Sequence, residues 1–399
     1  MNMPSSLPIV RLMPKADARA IRFGFPWVYS NDLVTDRRTK AIEAGAIAEL
    51  QDAERQPLGL VAMNPDSRII ARMLDRDISA VIDQAWIAAR LKKALDHRER
   101  VFAEPFYRLI HAEADGFPGV VIDRFGDTVV MQPNAAWADR LVPEFTAALQ
   151  EVVGIKTVIM NGSGRARGLE GLPEEMKVVA GDAPTAPIPV PMNGAIYMAD
   201  VMGGQKTGLF YDQRPNHAFN AGLCKGAKVL DVFSHVGGFS LAALAGGAES
   251  ALAVDGSAAA LSLAEQGAEA MGVSSKFATR KGDAFDVLAA LAEESETFDV
   301  VVCDPPAFAP SKQSLEAGLR AYERVARLAA PLVREGGYLA LCSCSHAADL
   351  SKFRNASARG IGRAGRSAQI IHTGYAGADH PMMPQLAESG YLKSVFFRL

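Results

Sequence analysis

Short apolar runs alternate with alanine-rich stretches through the second half of the chain. Nearly continuous apolar runs occupy residues 229–233, 251–254, 298–303 and 338–342, as expected of strands that are buried on both faces. The stretches between them, of which the first begins at Phe239, have the length and composition of helices. Strands that alternate with helices predict an open, largely parallel α/β sheet.

The first half of the chain has a different pattern. Residues 47–53 and 58–63 show the short alternation of strands separated by polar turn residues, and they predict a β-rich domain. An apolar face that recurs every three or four positions predicts a helix over residues 79–102, and its basic residues, Arg98 among them, are expected on the solvated face. The next predicted elements are a hairpin over 119–132, a helix over 136–153 and a strand over 156–160. These patterns divide the chain into a β-rich domain, a connecting helix with an α+β middle domain, and the α/β domain, at residues 1–75, 76–193 and 194–399.

The first strand of the α/β domain ends in a glycine turn, residues 234–238. A strand, a glycine turn and a helix together present backbone groups to a nucleotide-like ligand. The spacing is not Gly-x-Gly-x-x-Gly, which fits a pyrophosphate onto a helix N-terminus. S-adenosylmethionine, which has no diphosphate, therefore suits the turn better than a dinucleotide. Tight packing between strand and helix explains the same glycines equally well, and the turn alone does not decide between them.

Carboxylates follow the next predicted strands. Asp255 lies about twenty positions beyond the turn, where a carboxylate suits the hydroxyls of a ribose. Asp283 follows the third strand, after Gly282. Two prolines follow Asp304, and because proline cannot continue a central strand, Asp304 is left at the carboxyl edge of the sheet. These carboxylates predict a ligand site along that edge.

The order of these motifs resembles class I S-adenosylmethionine-dependent methyltransferases. The residues that carry the resemblance are Asp231-Val-Phe-Ser-His-Val-Gly-Gly-Phe-Ser240, Asp255, Gly282-Asp283 and Asp304-Pro-Pro-Ala-Phe308. Upstream, Gly204-Gln-Lys-Thr-Gly-Leu-Phe-Tyr-Asp-Gln-Arg214 resembles the entry segment of one subgroup. That subgroup is the bacterial large-subunit ribosomal RNA cytosine-5 methyltransferases with an N-terminal PUA domain. The resemblance extends over nearly the whole chain.

The resemblance implies a class I methyltransferase Rossmann-like sheet, an N-terminal β-rich PUA-like domain and an α+β middle domain. It implies S-adenosylmethionine as cofactor, 23S ribosomal RNA as partner, and methyl transfer to carbon 5 of a cytidine. Residues 368–372 and 394–397 become the last strands, paired antiparallel at the sheet edge. The cofactor-binding residues that it implies are Asp231, Phe233, Ser234, Gly237, Gly238, Asp255, Asp283, Asp304, Gln213 and Arg214.

Cys344 lies just past the strand that ends at Cys342, in a Ser-Cys-Ser-His setting. Carbon 5 of cytosine is a poor nucleophile, and addition of a thiolate to carbon 6 makes carbon 5 enamine-like and reactive. The resemblance supports Cys344 as this nucleophile, while Asp304 is placed to hydrogen-bond or protonate ring nitrogen 3. Another group of RNA cytosine-5 methyltransferases has a second cysteine where this chain has Ala307. The base that removes the carbon 5 proton is unassigned, and His346 is open between that role and a structural one.

Composition and charge set further limits. The chain has 399 residues, 49% of them hydrophobic and 22% charged, which is typical of a soluble protein of two or three domains. A net charge of −3 excludes a broadly basic surface, so RNA has to be contacted through local patches. The four cysteines form no disulfide framework in so long a chain, and reduced thiols in the cytoplasm are expected. The sequence shows neither a signal core nor a membrane-spanning run.

Candidate RNA contacts lie at three places. Arg22 and Trp27 belong to a segment that mixes aromatic and basic residues, which suits base stacking and phosphate contact, although a core cluster explains its aromatic residues by itself. Arg165 and Arg167 lie in a glycine- and arginine-rich loop that either touches phosphates or is only a connection. Phe308, in the Asp304 motif, completes the set.

Several alternatives are open from the sequence. One is methylation of a ring nitrogen or exocyclic amine, with Cys344 only structural; another is a non-catalytic RNA-binding assembly protein that keeps a cofactor pocket. Cys342, Cys344 and His346 alternate as metal ligands do, but no second ligand pair is present, so no metal is expected. His217 and Met192 depart from the arginine and glutamate of the family pattern. Whether the chain forms a homodimer is also open.

Overall fold

The computed structural model describes residues 7–204 and 208–399, and of Arg165 the backbone alone. Positions 205–207 of the entry segment lie outside the described residues. The described chain forms two compact units, one up to Ala183 together with Ala378–Ser389, and one from Pro184 to Gly377 together with Gly390–Leu399.

The first unit begins with a five-stranded sheet of order β1-β3-β4-β5-β2. Alternation of buried and half-buried positions along the strand that starts at Ile47 places Ala48 and Leu50 in the core, as the sequence pattern predicts. Two short helices cross between the strands. The elements are β1 (Ile9–Arg11), α1 (Ala18–Arg22), β2 (Trp27–Val28), α2 (Arg37–Lys40), β3 (Ile47–Gln51), β4 (Pro57–Met63) and β5 (Ala71–Asp75).

A long helix and a second five-stranded sheet, of order β10-β9-β8-β7-β6, complete the first unit. The helix begins at Gln84, later than predicted, because the Asp83 carboxylate accepts the Trp86 backbone N–H and caps it. The predicted helix over 136–153 is divided at Leu141, since Pro143 fits only a first helical turn. The elements are α3 (Gln84–Val101), β6 (Phe106–His111), β7 (Val120–Phe125), β8 (Thr128–Pro133), α4 (Ala136–Arg140), α5 (Val142–Val153), β9 (Thr157–Asn161), α6 (Arg165–Leu169) and β10 (Met176–Ala180).

Arg98 on α3 is buried, although the helical pattern placed it on a solvated face. Its guanidinium makes two hydrogen bonds to the Asp115 carboxylate, at 3.0 and 2.7 Å, and a third to the Asp379 carbonyl oxygen at 3.1 Å. The Asp379 carboxylate in turn accepts the Arg108 backbone N–H at 3.1 Å. These bonds attach the late segment 378–389 to the first unit, and satisfy charges that would be costly to bury alone.

The second unit contains a β-hairpin and a seven-stranded sheet of order β15-β14-β13-β16-β17-β19-β18. The first five strands of this order are parallel, while β19 is antiparallel to both β17 and β18. The elements are β11 (Ile188–Met192), β12 (Ala195–Ala199), α7 (Arg214–Gly222), β13 (Lys228–Val232), α8 (Gly238–Ala245), β14 (Ser250–Asp255), α9 (Ala258–Ala270), β15 (Phe277–Lys281), α10 (Ala284–Glu293), β16 (Phe298–Cys303), α11 (Leu315–Ala329), β17 (Val333–Ser343), α12 (Leu350–Arg363), β18 (Gln369–Gly374) and β19 (Lys393–Arg398).

The sheet of the second unit has the predicted Rossmann-like arrangement. Val229, Val301 and Leu339 have no exposed surface, because helices cover both faces of the parallel strands. In register, Cys303 of β16 pairs with Leu341 of β17, so both strands end at the same edge. Asp304 and Cys344 each follow one of these ends, and the sheet therefore brings the two candidate catalytic loops next to each other.

Candidate functional site

The turn between β13 and α8 has an unusual backbone. Phe233, His235 and Gly237 have φ angles of 63°, 49° and 81°, a region that residues with a side chain seldom adopt. The Ser234 backbone N–H donates to the Val254 carbonyl oxygen at 3.0 Å, and the Gly237 N–H donates to that of Ser234 at 2.8 Å. Strained backbone that is held in this way is common at binding sites. The sequence indicated the glycine but not the two strained residues before it.

Asp255 at the tip of β14 is joined directly to this turn. One carboxylate oxygen accepts the His235 backbone N–H at 2.9 Å, and the other accepts the Ser257 N–H at 2.8 Å. The carboxylate therefore orders the turn and the start of α9. A carboxylate oxygen has more than one lone pair, so these bonds leave it able to accept from a ligand hydroxyl as well.

A pocket opens beside the turn, at the carboxyl ends of β13 and β16. Six of the predicted cofactor-binding residues line it: Gln213, Asp231, Phe233, Ser234, Gly238 and Asp304. Its other walls are Tyr197, Leu209, Phe210, His217, His235, Val236 and Phe239. Two carboxyls and several aromatic rings are a combination suited to a ligand with a positive charge and a flat ring.

The two carboxyls of the pocket hold their protons more tightly than usual. Burial raises the pKa of Asp304 to about 8, with a further rise from the Asp212 and Asp231 carboxylates, while Gln213 opposes it. Burial also raises the pKa of Asp231 to about 6, although its Oδ2 accepts the Ser240 backbone N–H at 2.8 Å. Its Oδ1 is buried and meets no hydrogen-bond donor among the described residues. Such an oxygen is a ready acceptor for a cationic or N–H-bearing ligand.

His217 and Tyr197 form the inner wall. The His217 imidazole lies parallel to the Tyr197 ring at 6.1 Å between centroids, and burial lowers the pKa of His217 to about 3. Tyr197 donates from its hydroxyl to the Gly238 carbonyl oxygen at 3.1 Å. The neutral imidazole that replaces the expected arginine thus packs against the glycine turn and brings no charge. Tyr197 was not singled out by the sequence, since it belongs to the hairpin before the sheet.

The other predicted cofactor residues lie around the pocket, not in its lining. Asp283 is exposed and caps α10, with its Oδ1 accepting the Phe285 N–H at 2.9 Å. Arg214 lies at the start of α7, with its guanidinium 5.4 Å from the centre of the Tyr211 ring. Gly237 supports the turn from behind, where a Cβ would be 3.1 Å from Ala264.

Cys344 is half-exposed and held by its neighbours on either side. The Ser345 hydroxyl accepts the Ala309 backbone N–H at 2.9 Å, which ties the Cys344 loop to the loop that follows Asp304. Tyr322 on α11 lies at hydrogen-bond distance from both flanking hydroxyls, 2.9 Å from that of Ser343 and 2.7 Å from that of Ser345. The arrangement fixes the backbone around the thiol and leaves its side chain accessible.

Lys393, at the start of β19, reaches the same loop. Its buried ammonium donates to the carbonyl oxygen of Ser345 at 2.6 Å and to that of Tyr391 at 2.9 Å. Burial lowers the pKa of Lys393 to about 8, and negative charge on Cys344 or Asp349 acts in the opposite direction. A buried ammonium close to a thiol favours the thiolate. Lys393 is therefore a candidate for stabilising the Cys344 thiolate. The sequence did not indicate it, because only the pairing of β17 with β19 brings it near Cys344.

The other cysteines are buried. The Ser394 hydroxyl donates to the Cys342 sulfur at 3.2 Å, and burial raises the pKa of Cys342 well above its ordinary value. Burial also raises the pKa of Cys303, and it raises that of Cys224 to about 12. Such thiols are inert compared with a half-exposed one. His346, which the sequence left open between a catalytic base and a structural residue, is exposed.

The remaining candidate RNA contacts differ in how accessible they are. Arg22 is exposed and forms an ion pair with Asp52, while the half-buried Trp27 donates from its indole N–H to Glu113 at 2.8 Å. The aromatic cluster of Trp27, Phe25 and Tyr29 is only partly buried. Phe308 packs against Phe233 and Phe285 beside the pocket.

Arg165 and Arg167 occupy the predicted loop, which in the structure includes α6. The side chain of Arg165 lies outside the described residues. Arg167 is buried, and its guanidinium donates to the Pro133 carbonyl oxygen and the Asp139 carboxylate, both at 2.7 Å. Arg167 is therefore used within the fold.

Two general searches give negative results within the described ranges. No three or more His, Cys, Asp or Glu side chains among residues 7–204 and 208–399 are grouped as metal ligands. No helix in the same ranges is long and apolar enough to cross a membrane.

Two family models match separate parts of the chain. A PUA-like domain family matches residues 10–76, and a family described as conserved hypothetical protein 95 matches residues 210–329. Among solved structures, a candidate SAM-dependent methyltransferase from Streptococcus mutans superposes with a TM-score of 0.83 at 19% identity, covering 98% of this chain and 100% of that one. A candidate methyltransferase in complex with SAH has a TM-score of 0.82 at 20% identity, covering 98% and 99%. The predicted fold of a class I methyltransferase with a PUA-like domain is confirmed.

Sequence similarity extends to a curated relative. Ribosomal RNA large subunit methyltransferase I from Cronobacter sakazakii is 33% identical over 389 residues, covering 96% of this chain and 98% of its own length. The corresponding protein of Yersinia pseudotuberculosis is 31% identical over 392 residues, covering 97% and 98%. The chain therefore belongs to the ribosomal RNA large subunit methyltransferase I family.

Proposed function

We propose that this protein transfers a methyl group from S-adenosylmethionine to carbon 5 of a cytidine in 23S ribosomal RNA, in the cytoplasm. The observation that carries the proposal is the hydrogen bond between Ser345 and Ala309, which holds the loops of Cys344 and Asp304 together at one edge of the sheet. A nucleophile and an acid at one edge are what cytosine methylation needs. Membership of the ribosomal RNA methyltransferase I family supports RNA as the substrate.

S-adenosylmethionine fits the pocket described above. Its sulfonium supplies an electrophilic methyl group, and its positive charge suits a cavity lined by Asp231 and Asp304. The unpartnered Oδ1 of Asp231 and the half-exposed Asp255 are the acceptors for its polar groups, with Gln213, Arg214 and Asp283 at the periphery. Phe233, Ser234, Gly237 and Gly238 form the turn against which it lies.

Cys344 acts as the nucleophile. Its thiolate adds to carbon 6, and the electron pair displaced from the ring makes carbon 5 reactive toward the methyl group. After transfer, a base removes the proton from carbon 5, the bond from sulfur to carbon 6 breaks, and the aromatic ring is restored. The thiolate leaves unchanged, so each turnover consumes one methyl group and releases one proton.

Two neighbours support this chemistry. Asp304, with its pKa raised to about 8, is protonated at neutral pH and can donate to ring nitrogen 3 as sulfur adds. Lys393 is positively charged below about pH 8 and stabilises the thiolate of Cys344. Asp304 thus supplies a proton donor to the cytosine ring, and Lys393 supplies a cation near the Cys344 nucleophile.

RNA recognition combines the PUA-like domain with the rim of the pocket. We assign the domains to residues 1–75, 76–193 and 194–399, with Arg22 and Trp27 as contacts of the first. Phe308, at the pocket edge, stacks on the target base, because base stacking on an aromatic ring is favourable and independent of sequence. The target nucleotide has to leave its stack to reach this edge, so the protein should prefer loosened or single-stranded RNA.

The proposal is tested with undermethylated 23S RNA that contains 5-fluorocytidine. Fluorine cannot leave as a proton does, so the wild type should be trapped as a covalent adduct. The adduct should disappear in Cys344→Ser, because a serine hydroxyl is scarcely ionised at neutral pH, and persist in the matched variant Cys342→Ser. Methylation without an adduct in either protein would refute the cytosine-5 mechanism and favour methylation of a nitrogen. Absence of any methylation would favour a non-catalytic assembly protein.

A further inference from the structure

A concentration of positive charge lies on the outer face of α11 and α12. Arg320, Arg324, Arg327 and Arg363 surround an open groove with Glu323 at its floor, and we call these five residues the arginine groove. All four arginines are exposed. The chain as a whole carries a net charge of −3, so the groove is a local feature and does not reflect a generally basic surface.

Three of the arginines form no ion pair within the part of the chain that the structure describes. Glu323 forms ion pairs with Arg359, at 3.0 Å, and with Arg363. Among residues 7–204 and 208–399, Arg320, Arg324 and Arg327 make no ion pair with an acidic side chain. The acidic residue thus holds the α12 side of the groove in place, while the arginines of α11 remain available for an anionic partner.

The spacing of these arginines forms a row. Positions 320, 324 and 327 lie on one face of α11, and at about 1.5 Å per residue they extend over roughly 10 Å along its axis. A guanidinium binds phosphate oxygens through two parallel hydrogen bonds, which suits a chain of phosphates better than a single ion. The spacing of the three guanidinium groups therefore suits an extended polyanion.

A chain of aromatic contacts links the middle of the row to Phe233 in the pocket wall. The Arg324 guanidinium lies 4.4 Å from the centre of the Phe285 ring, and Phe285 packs against Phe308 at 6.2 Å between ring centroids. Phe308 belongs to the segment that follows Asp304. Stacking on Phe285 holds Arg324 in place, so less side-chain entropy is lost when it binds a ligand. A strand that enters the pocket from this direction would pass along α11.

We propose that the arginine groove binds the sugar-phosphate backbone of the RNA next to the target nucleotide. This inference rests on the proposed function, because it assumes that the substrate is RNA. The groove presents guanidinium groups and, apart from Phe285, no ring for base stacking, so it contributes affinity and orientation without reading sequence. It gives the catalytic unit an RNA contact of its own, separate from the PUA-like domain.

The test compares two triple variants of the full chain. Arg320→Gln/Arg324→Gln/Arg327→Gln removes the row, and Lys225→Gln/Lys276→Gln/Lys281→Gln removes the same charge from exposed positions of the same unit. RNA affinity is measured at several salt concentrations with the undermethylated 23S RNA. We expect the arginine variant to bind RNA 10- to 100-fold more weakly and to lower the salt slope by about 2, since each single-strand phosphate contact contributes about 0.7. The lysine variant should bind like the wild type.

The remaining outcomes separate this inference from the proposed function. If the arginine variant methylates RNA and binds it with unchanged affinity and salt slope, the groove proposal is wrong while the function stands. Equal loss in both triple variants would also overturn it, because total charge would then explain the effect. Arg324→Lys, which keeps the charge but not the planar stack, should lose less affinity than Arg324→Gln. Tighter binding of polyglutamate than of RNA to the groove would identify an acidic protein as its partner and refute the RNA assignment.

Discussion

Asp304→Asn should make the protein more stable while it makes the enzyme less active. The Asp304 carboxyl is half-buried in the pocket wall and close to the Asp212 and Asp231 carboxylates, so its ionised form is disfavoured in the folded state. Asparagine has nearly the same shape and carries no charge. The variant therefore avoids the free-energy cost of ionising this carboxyl in the folded protein at high pH.

The size of the effect follows from the pKa of Asp304, which rises from 3.8 in the unfolded chain to about 8 in the folded protein. Between these values the unfolded chain has lost the proton that the folded protein keeps, so the stability of the wild type falls as pH rises. Each pKa unit corresponds to about 1.4 kcal/mol, and three pH units from 5 to 8 therefore cost up to about 4 kcal/mol. The variant escapes this loss, and its advantage should grow across that interval.

The assay is denaturant unfolding of both proteins at pH 5, 6, 7 and 8. Asp286→Asn is the control, because Asp286 is an exposed carboxylate on α10, the helix that precedes β16; a gain in stability that grows with pH is expected for Asp304→Asn and not for this control. Methylation by Asp304→Asn should fall by about 10²–10⁴, the usual contribution of a general acid. A stability difference between Asp304→Asn and the wild type that stays constant from pH 5 to pH 8 would refute the reasoning.

Two further predictions concern the cofactor turn and the nucleophile. Asp255→Asn should weaken S-adenosylmethionine binding by ten- to a hundredfold in calorimetry, corresponding to about 1.5–3 kcal/mol for a charge-assisted hydrogen bond, and equal affinity in a folded variant would remove Asp255 from the site. Lys393→Met should slow alkylation of Cys344 by iodoacetamide at pH 7, whereas Lys393→Arg should restore much of the rate. The alkylation rates of the wild type and of Lys393→Met should converge above about pH 9, because Lys393 itself loses its charge near pH 8. A constant difference between these two rates at all pH values would show a purely structural effect.

The sequence predicts those parts of the site that depend on local patterns. The apolar runs predict the parallel strands, and the position of a residue after each run predicts that Asp255, Asp304 and Cys344 reach the same edge. The glycine turn is predicted for the same reason, since its residues are adjacent in the chain. The strands, the residues that follow them and the glycine turn are all determined within short segments, so they can be predicted without knowledge of the tertiary fold.

The sequence does not predict contacts between distant segments. Lys393 lies 48 positions after Ser345, and Ala309 lies 36 positions before it, so neither hydrogen bond leaves a periodic pattern. The helical pattern placed Arg98 in solvent, because the pattern contains no information about distant residues. In the structure, Arg98 is covered by Asp115 and by the carbonyl oxygen of residue 379. A polar residue is assigned to the surface by default, and only its partners reveal that it is buried.

The raised pKa values of the pocket also allow binding of the cofactor to be tested apart from the chemistry. Asp231 has a pKa of about 6, so near pH 5 it holds a proton that a cation would displace, while Asp304, with a pKa of about 8, keeps the proton that it donates to the cytosine. S-adenosylmethionine carries a positive sulfonium and S-adenosylhomocysteine does not. Affinity for S-adenosylmethionine should therefore rise between pH 5 and pH 7 with release of a proton from Asp231, while affinity for S-adenosylhomocysteine should stay nearly constant.

Calorimetry in two buffers of different ionisation enthalpy measures the protons released by each ligand. In Asp231→Asn the pH dependence of S-adenosylmethionine binding should become shallower, because the acid that releases the proton is gone, whereas Asp304→Asn should keep that dependence. Identical pH profiles for the two ligands would mean that the sulfonium does not sit within the field of these carboxylates. In that case the match between the sulfonium and the carboxyls of the pocket would be wrong.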